Sequence, residues 1–131
     1  MRKQKKYMKV RSATGNIGLI PAAGTGNRLD FPFPKEMFPD LRKKTYVPIF
    51  MDVFNHMARV TKDIVVVVNN QRGSLIEYLK NHRPKGINIH FVLQKKPVSL
   101  PHAIIQARHF IKNKNVLFGM PDTIITNPRC F

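Results

Sequence analysis

Gly24, Gly26, Arg28 and Lys35 follow closely on a short apolar run at residues 17–20. Glycines let backbone N–H groups come close to a phosphate, and successive N–H groups form an anion-binding nest. A guanidinium and an ammonium nearby neutralise charge. The stretch Ala22-Ala23-Gly24-Thr25-Gly26 is a small-residue turn, with prolines between the two cations that follow it. The chemistry this suggests is the triphosphate of a nucleotide.

Two common phosphate motifs do not fit. A dinucleotide fingerprint needs a third glycine three positions after Gly26, where Leu29 stands. A Walker A loop needs Gly-Lys-Ser/Thr at its end, and Gly26 is followed by Asn27 and Arg28. What remains is Ala-Ala-Gly-x-Gly-x-Arg, then Pro34-Lys35-Glu36. That pattern resembles the sugar-phosphate nucleotidyltransferases, the glucose-1-phosphate thymidylyl- and uridylyltransferase family, over about residues 15–127. Cytidylyltransferases of isoprenoid synthesis share the loop, but residues 94–103 argue against them.

The resemblance implies further sites. Gln94, followed by Leu100, His102 and Ala103, matches the family segment whose Gln presents an amide to a pyrimidine base. Ser99 stands where the family usually has Gly; it is assigned to the nucleotide here, and it also suits the N-cap of the helix that follows. His102 reads as a half-buried helix residue. Asp122, past a buried strand, matches the Asp that holds Mg²⁺ against the nucleotide, and Mg²⁺ takes oxygen ligands from one or two carboxylates plus phosphates. The implied reaction is nucleotidyl transfer from dTTP or UTP to a sugar 1-phosphate, with release of pyrophosphate. Arg28 and Lys35 would be the catalytic cations. Ala22, Ala23, Gly24, Thr25, Gly26, Gln94 and Ser99 would bind the nucleotide. A different class of reading is a non-catalytic nucleotide- or nucleic-acid-binding module.

These residues must be held by alternating elements. Residues 17–21 read as a strand, and 25–46 as loop, broken by Pro32, Pro34 and Pro39. Phe50, Val53, Phe54 and Met57 recur at helical spacing within 48–59. The β-branched run at 63–68 suits a strand buried on both faces. Ser74 and Glu77 form a capping box for a helix to about residue 81. Residues 87–93 read as a third strand, 100–111 as one helix and 116–119 as a fourth strand. Such alternation implies a doubly wound, Rossmann-like α/β fold with a mostly parallel sheet, whose ligands sit beyond the carboxyl ends of the strands. The glycine loop, Gln94 and Asp122 all fall at such ends.

The chain has 131 residues, which suits one domain, read as residues 15–131 behind a basic, disordered tail at 1–14. Against the resembling family the sheet reads as truncated after the fourth strand. The expectations are therefore an apolar edge at 116–118 that self-associates, and no turnover with glucose 1-phosphate. Twenty-three Lys and Arg residues against seven acids give a net charge of +16, a surface that attracts polyanions. Six of those cations lie in the first eleven residues, so the tail is expected to bind nucleic acid weakly, with a steep salt dependence. No run of 18 apolar residues predicts a membrane helix, and no apolar segment follows the basic start, so a cytoplasmic location is expected. Cys130 is the single cysteine, which excludes an internal disulfide and a multi-cysteine metal site.

Overall fold

The computed structural model describes residues 15–24, 33–71, 73–96, 98–127 and 129–131. The basic segment 1–14, and Thr25, Gly26 and Arg28 of the glycine loop, lie outside the described residues. Strands β1 (Asn16–Ala22), β2 (Asp63–Val68), β3 (Asn88–Leu93) and β4 (Asn115–Phe118) form one parallel sheet in the order β3-β2-β1-β4.

β2 explains the layering. Residues 64–68 of this strand are all buried, on both faces of the sheet. Side chains alternate along a strand. Ile20, Ala22, Ile64, Val66 and Val68 point to one face, where they meet helices α1 (Phe50–Ala58) and α2 (Gly73–His82). Ile17, Leu19, Val65 and Val67 point to the other, against Ala103 of α3 (Leu100–Gln106) and Ala107, which precedes α4 (Arg108–Ile111). The chain lays β2 and β3 outward from β1, then returns to place β4 on the far side of β1. Crossovers of a single hand must change face when direction reverses. The reversal opens a crevice at the carboxyl ends of β1 and β4.

Gly119 lies directly after β4, and its N–H donates to the Leu19 carbonyl at 3.2 Å. A Cβ here would run into Val53 Cγ2 and come within 2.8 Å of Met57 Cε. The missing side chain lets the end of the sheet pass close beneath α1. On the same helix, Asp52 acts as a joint. One carboxylate oxygen accepts from Arg42 Nη2 at 2.7 Å and the other from the Ile125 N–H at 2.7 Å. Arg42 also grips Asp40 through two bonds of 2.8 and 2.7 Å. The segment after β4 is thereby tied to α1, and Ile125 and Phe131 pack on the first core cluster.

Four local expectations need correction. The helix expected over 100–111 is two helices, because Ala107 leaves helical geometry (φ −85°, ψ 0°). Ala103 and Ala107 lie against the sheet, whereas Phe110 is exposed and sits beside the His90 ring at 4.9 Å. α2 begins at Gly73, so Ser74 lies inside the helix and not at its cap. Pro48 precedes α1 and forms an isolated antiparallel bridge with Pro39, which closes the loop between them. Within the region expected to be loop, Lys35–Met37 make a short 3₁₀ turn.

Gly119→Ala should cost about 1–3 kcal/mol, the usual range for overpacking a well-filled core, read as a lower urea midpoint. An unchanged midpoint would show that α1 can move aside. A second expectation concerns acid. The hydrogen bonds from Arg42 hold the Asp40 carboxyl at about 2, against an ordinary 3.8. On acidification the unfolded chain takes this proton first, so the pair's stabilisation is complete above 3.8 and is lost as pH falls to about 2. Arg42→Ala should therefore flatten the dependence of unfolding free energy on pH across that window. Parallel curves for the two proteins would remove the pair from the account.

Candidate functional site

A cleft of about 260 Å³ lies at the crevice between the ends of β1 and β4. Ala23 and Gly24 form one wall just past β1, and Met120 and Pro121 form another just past β4. Lys35 and Glu36 reach it from the 3₁₀ turn. Gln94, Ser99 and Ala103 close it from the β3–α3 side. Gly24, Lys35, Gln94, Ser99 and the residues just past β4 therefore line one cavity.

Lys35 and Asp122 meet although 87 positions separate them. Lys35 Nζ donates to Asp122 Oδ2 at 3.0 Å, and the side chains are 35% and 40% exposed. An ion pair so open to water contributes only about 0–1 kcal/mol. It is readily exchanged: a phosphate could take the ammonium, and a cation the carboxylate. Ala22 ends β1 and is buried.

Gln94 is 2% exposed, so it is no solvated loop amide. Its N–H donates to the Val68 carbonyl at 2.8 Å and continues the ladder past the strand end. Its side-chain Nε2 lies 2.7 Å from His102 Nδ1 and 3.4 Å from the Ser99 carbonyl. Ser99 is extended and caps α3, its Oγ accepting from the His102 N–H at 3.3 Å. The side chain where the related segment has Gly thus starts the helix that carries His102.

Two residues were not singled out from the sequence. Glu36 is a buried carboxyl group on the cleft wall. Asn69 is buried just past β2, and its Nδ2 donates to the carbonyls of Ala23 at 2.9 Å and Gly24 at 3.4 Å. It holds the start of the glycine loop. A polar residue directly after a fully buried strand, at the carboxyl edge, was the available signal for Asn69. Glu36 stood beside Lys35 in the motif, but nothing in the spacing showed that it would be buried. Among the described residues no group of three or more His, Cys, Asp or Glu side chains is placed to hold a metal ion. No helix among them is long and apolar enough to cross a membrane.

The family profile described as nucleotidyl transferase matches residues 17–129. The bifunctional protein GlmU of Methanococcus maripaludis strain C7 is 33% identical over 99 residues, covering 72% of this chain and 22% of that protein. The UTP–glucose-1-phosphate uridylyltransferase YngB of Bacillus subtilis strain 168 is 29% identical over 145 residues, covering 91% of this chain and 46% of the relative. The solved UTP-bound UGPase of Acinetobacter baumannii superposes with a TM-score of 0.71 at 18% identity, over 86% of this chain and 47% of that one, a likeness of fold. The chain thus spans less than half the length of each of these proteins. The profile spans nearly all of the described chain, and the chain belongs to the nucleotidyl transferase family.

Proposed function

We propose that the cleft receives a pyrimidine nucleoside triphosphate, UTP or dTTP, as the donor in nucleotidyl transfer to a sugar 1-phosphate. The observation that carries this reading is that Lys35 and Gln94, a phosphate cation and a base-reading amide, line one cavity, with Asp122 bonded to Lys35. The names of the Bacillus and Acinetobacter proteins, which carry UTP, support the choice of nucleotide.

In this reaction a phosphate oxygen of the sugar 1-phosphate forms a bond to the α-phosphorus. The bond from that phosphorus to the bridging oxygen breaks, and pyrophosphate leaves with the electron pair. No covalent protein nucleophile is needed. Positioning and neutralisation of charge supply the catalysis. Lys35 would meet the phosphates, together with Arg28 and the N–H groups of 24–26. Gln94 would hold the base.

Mg²⁺ suits the donor set. Asp122 offers an accessible carboxylate whose present partner is an exchangeable ammonium, and such a cation is commonly held by one or two carboxylates plus substrate phosphates. Asp122 would hold it, and when bound it would neutralise triphosphate charge.

Calorimetry with UTP and magnesium should show saturable binding that weakens when EDTA removes the metal. Lys35→Ala and Arg28→Ala should each lose about 1.5–3 kcal/mol, the value of a charge-assisted hydrogen bond. Affinity unchanged in both variants would rule the site out. We also propose self-association through β4. Val116 and Phe118 are 41% and 40% exposed, and β4 pairs only with β1 among the described residues. An open strand edge with apolar side chains invites another chain. Sedimentation velocity should show concentration-dependent species, and a monomer at all loading concentrations would refute this.

A further inference from the structure

The two ends of the Gln94 amide are not equivalent. Its Nε2 lies between His102 Nδ1 at 2.7 Å and the Ser99 carbonyl at 3.4 Å. A carbonyl oxygen can only accept, so the Ser99 contact identifies that end as the NH₂ group. The NH₂ group must then donate to His102 Nδ1, which accepts with its lone pair. The ring proton therefore sits on Nε2, which the structure places 3.2 Å from Nε2 of Gln106. A half-turn of that half-buried amide places its carbonyl oxygen there to accept. Among the described residues, both side-chain hydrogen bonds of Gln94 leave from Nε2. The carbonyl oxygen is the end left for a ligand in the cleft that Gln94 lines.

We infer that His102 is a positioning residue that sets base preference, by locking the Gln94 amide with its carbonyl oxygen toward the ligand. The inference rests on the pyrimidine nucleotide reading above. A fixed acceptor at this place matches a base that presents an N–H. Uracil and thymine present one at N3. Cytosine in the same pose presents a lone pair at N3, which faces the carbonyl oxygen with like polarity. Without the acceptor at His102 Nδ1, only the longer contact to the Ser99 carbonyl, at 3.4 Å, opposes turning of the amide, and a turned amide would offer cytosine its NH₂ group. His102 touches no base in this account. Its ring is held by Gln106 on one side, and its own N–H is taken by the Ser99 cap. The discriminating amide therefore depends on a short chain of side chains running into α3.

The test titrates the 131-residue chain with UTP and with CTP in the presence of magnesium, in the wild type, His102→Leu and His102→Asn. In parallel, ¹⁵N NMR reads the His102 tautomer without nucleotide. The wild type should favour UTP by about tenfold or more, the scale of one mismatched buried hydrogen bond. His102→Leu should lower the ratio toward one with the circular dichroism spectrum unchanged. His102→Asn should restore it, because its Oδ1 can accept where Nδ1 did. The ring should carry its proton on Nε2. A ratio in His102→Leu equal to the wild-type value, or a proton on Nδ1, would overturn the role of His102 while nucleotide binding stood. Binding of neither nucleotide with the ring in the expected tautomer would instead overturn the pyrimidine reading. If the Leu variant fails to fold, the tautomer and the Asn variant still decide.

Discussion

The burial of residues 64–68 of β2 on both faces is the constraint from which the rest follows. A strand with five consecutive buried β-branched residues needs a cover on each face. One face receives α1 and α2, and the other receives α3 and α4. Covering both faces with crossovers of one hand requires the chain to reverse direction around β1. The reversal separates the ends of β1 and β4 and leaves the cleft there. The polar groups that line it are carried by the turns that the reversal creates.

Within the cleft, charge is arranged in a balanced pair. The molecule carries a net charge of +16, yet Lys35, which lines the cavity, is matched by Asp122. The pairing keeps a cation and a carboxylate close to where a triphosphate and a metal would need them, without burying either group. Desolvation of an isolated charge is thus avoided. Gln94 is handled differently. It is buried, and its nitrogen is satisfied by His102 and Ser99. The cleft combines an exchangeable ionic edge with a fixed neutral amide.

Much of this could be read from residues alone. The apolar runs of β1, β2 and β3 and the apolar spacing of α1 gave strand and helix positions within two residues, because burial leaves a periodic record. That Gly24, Gln94 and the turn after β4 share one edge also followed from parallel order, since every strand of such a sheet ends on the same edge. The break at Ala107 was not legible. Alanine favours helix, and the apolar spacing continues through it, so only packing against the second face reveals the turn. The Lys35–Asp122 contact is likewise invisible in spacing, because it spans 87 positions and depends on where two loops come to rest. Ser99 shows why one residue type can carry two signals. It caps α3 and also lines the cleft, so the sequence could not separate those roles.

Gly119 gives the core a hold on the cleft. The residue is seated directly against Val53 and Met57 of α1, and the turn that bears Asp122 begins one position later. The volume of two side chains buried between the helix and the sheet therefore acts as a spacer that sets the height of the β4 end. Substitutions that shrink Val53 or Met57 would do more than leave a void. They would let the strand end settle toward the helix and change the separation of the carboxylate from Lys35, so that tuning of the ionic edge need not involve any residue that lines it.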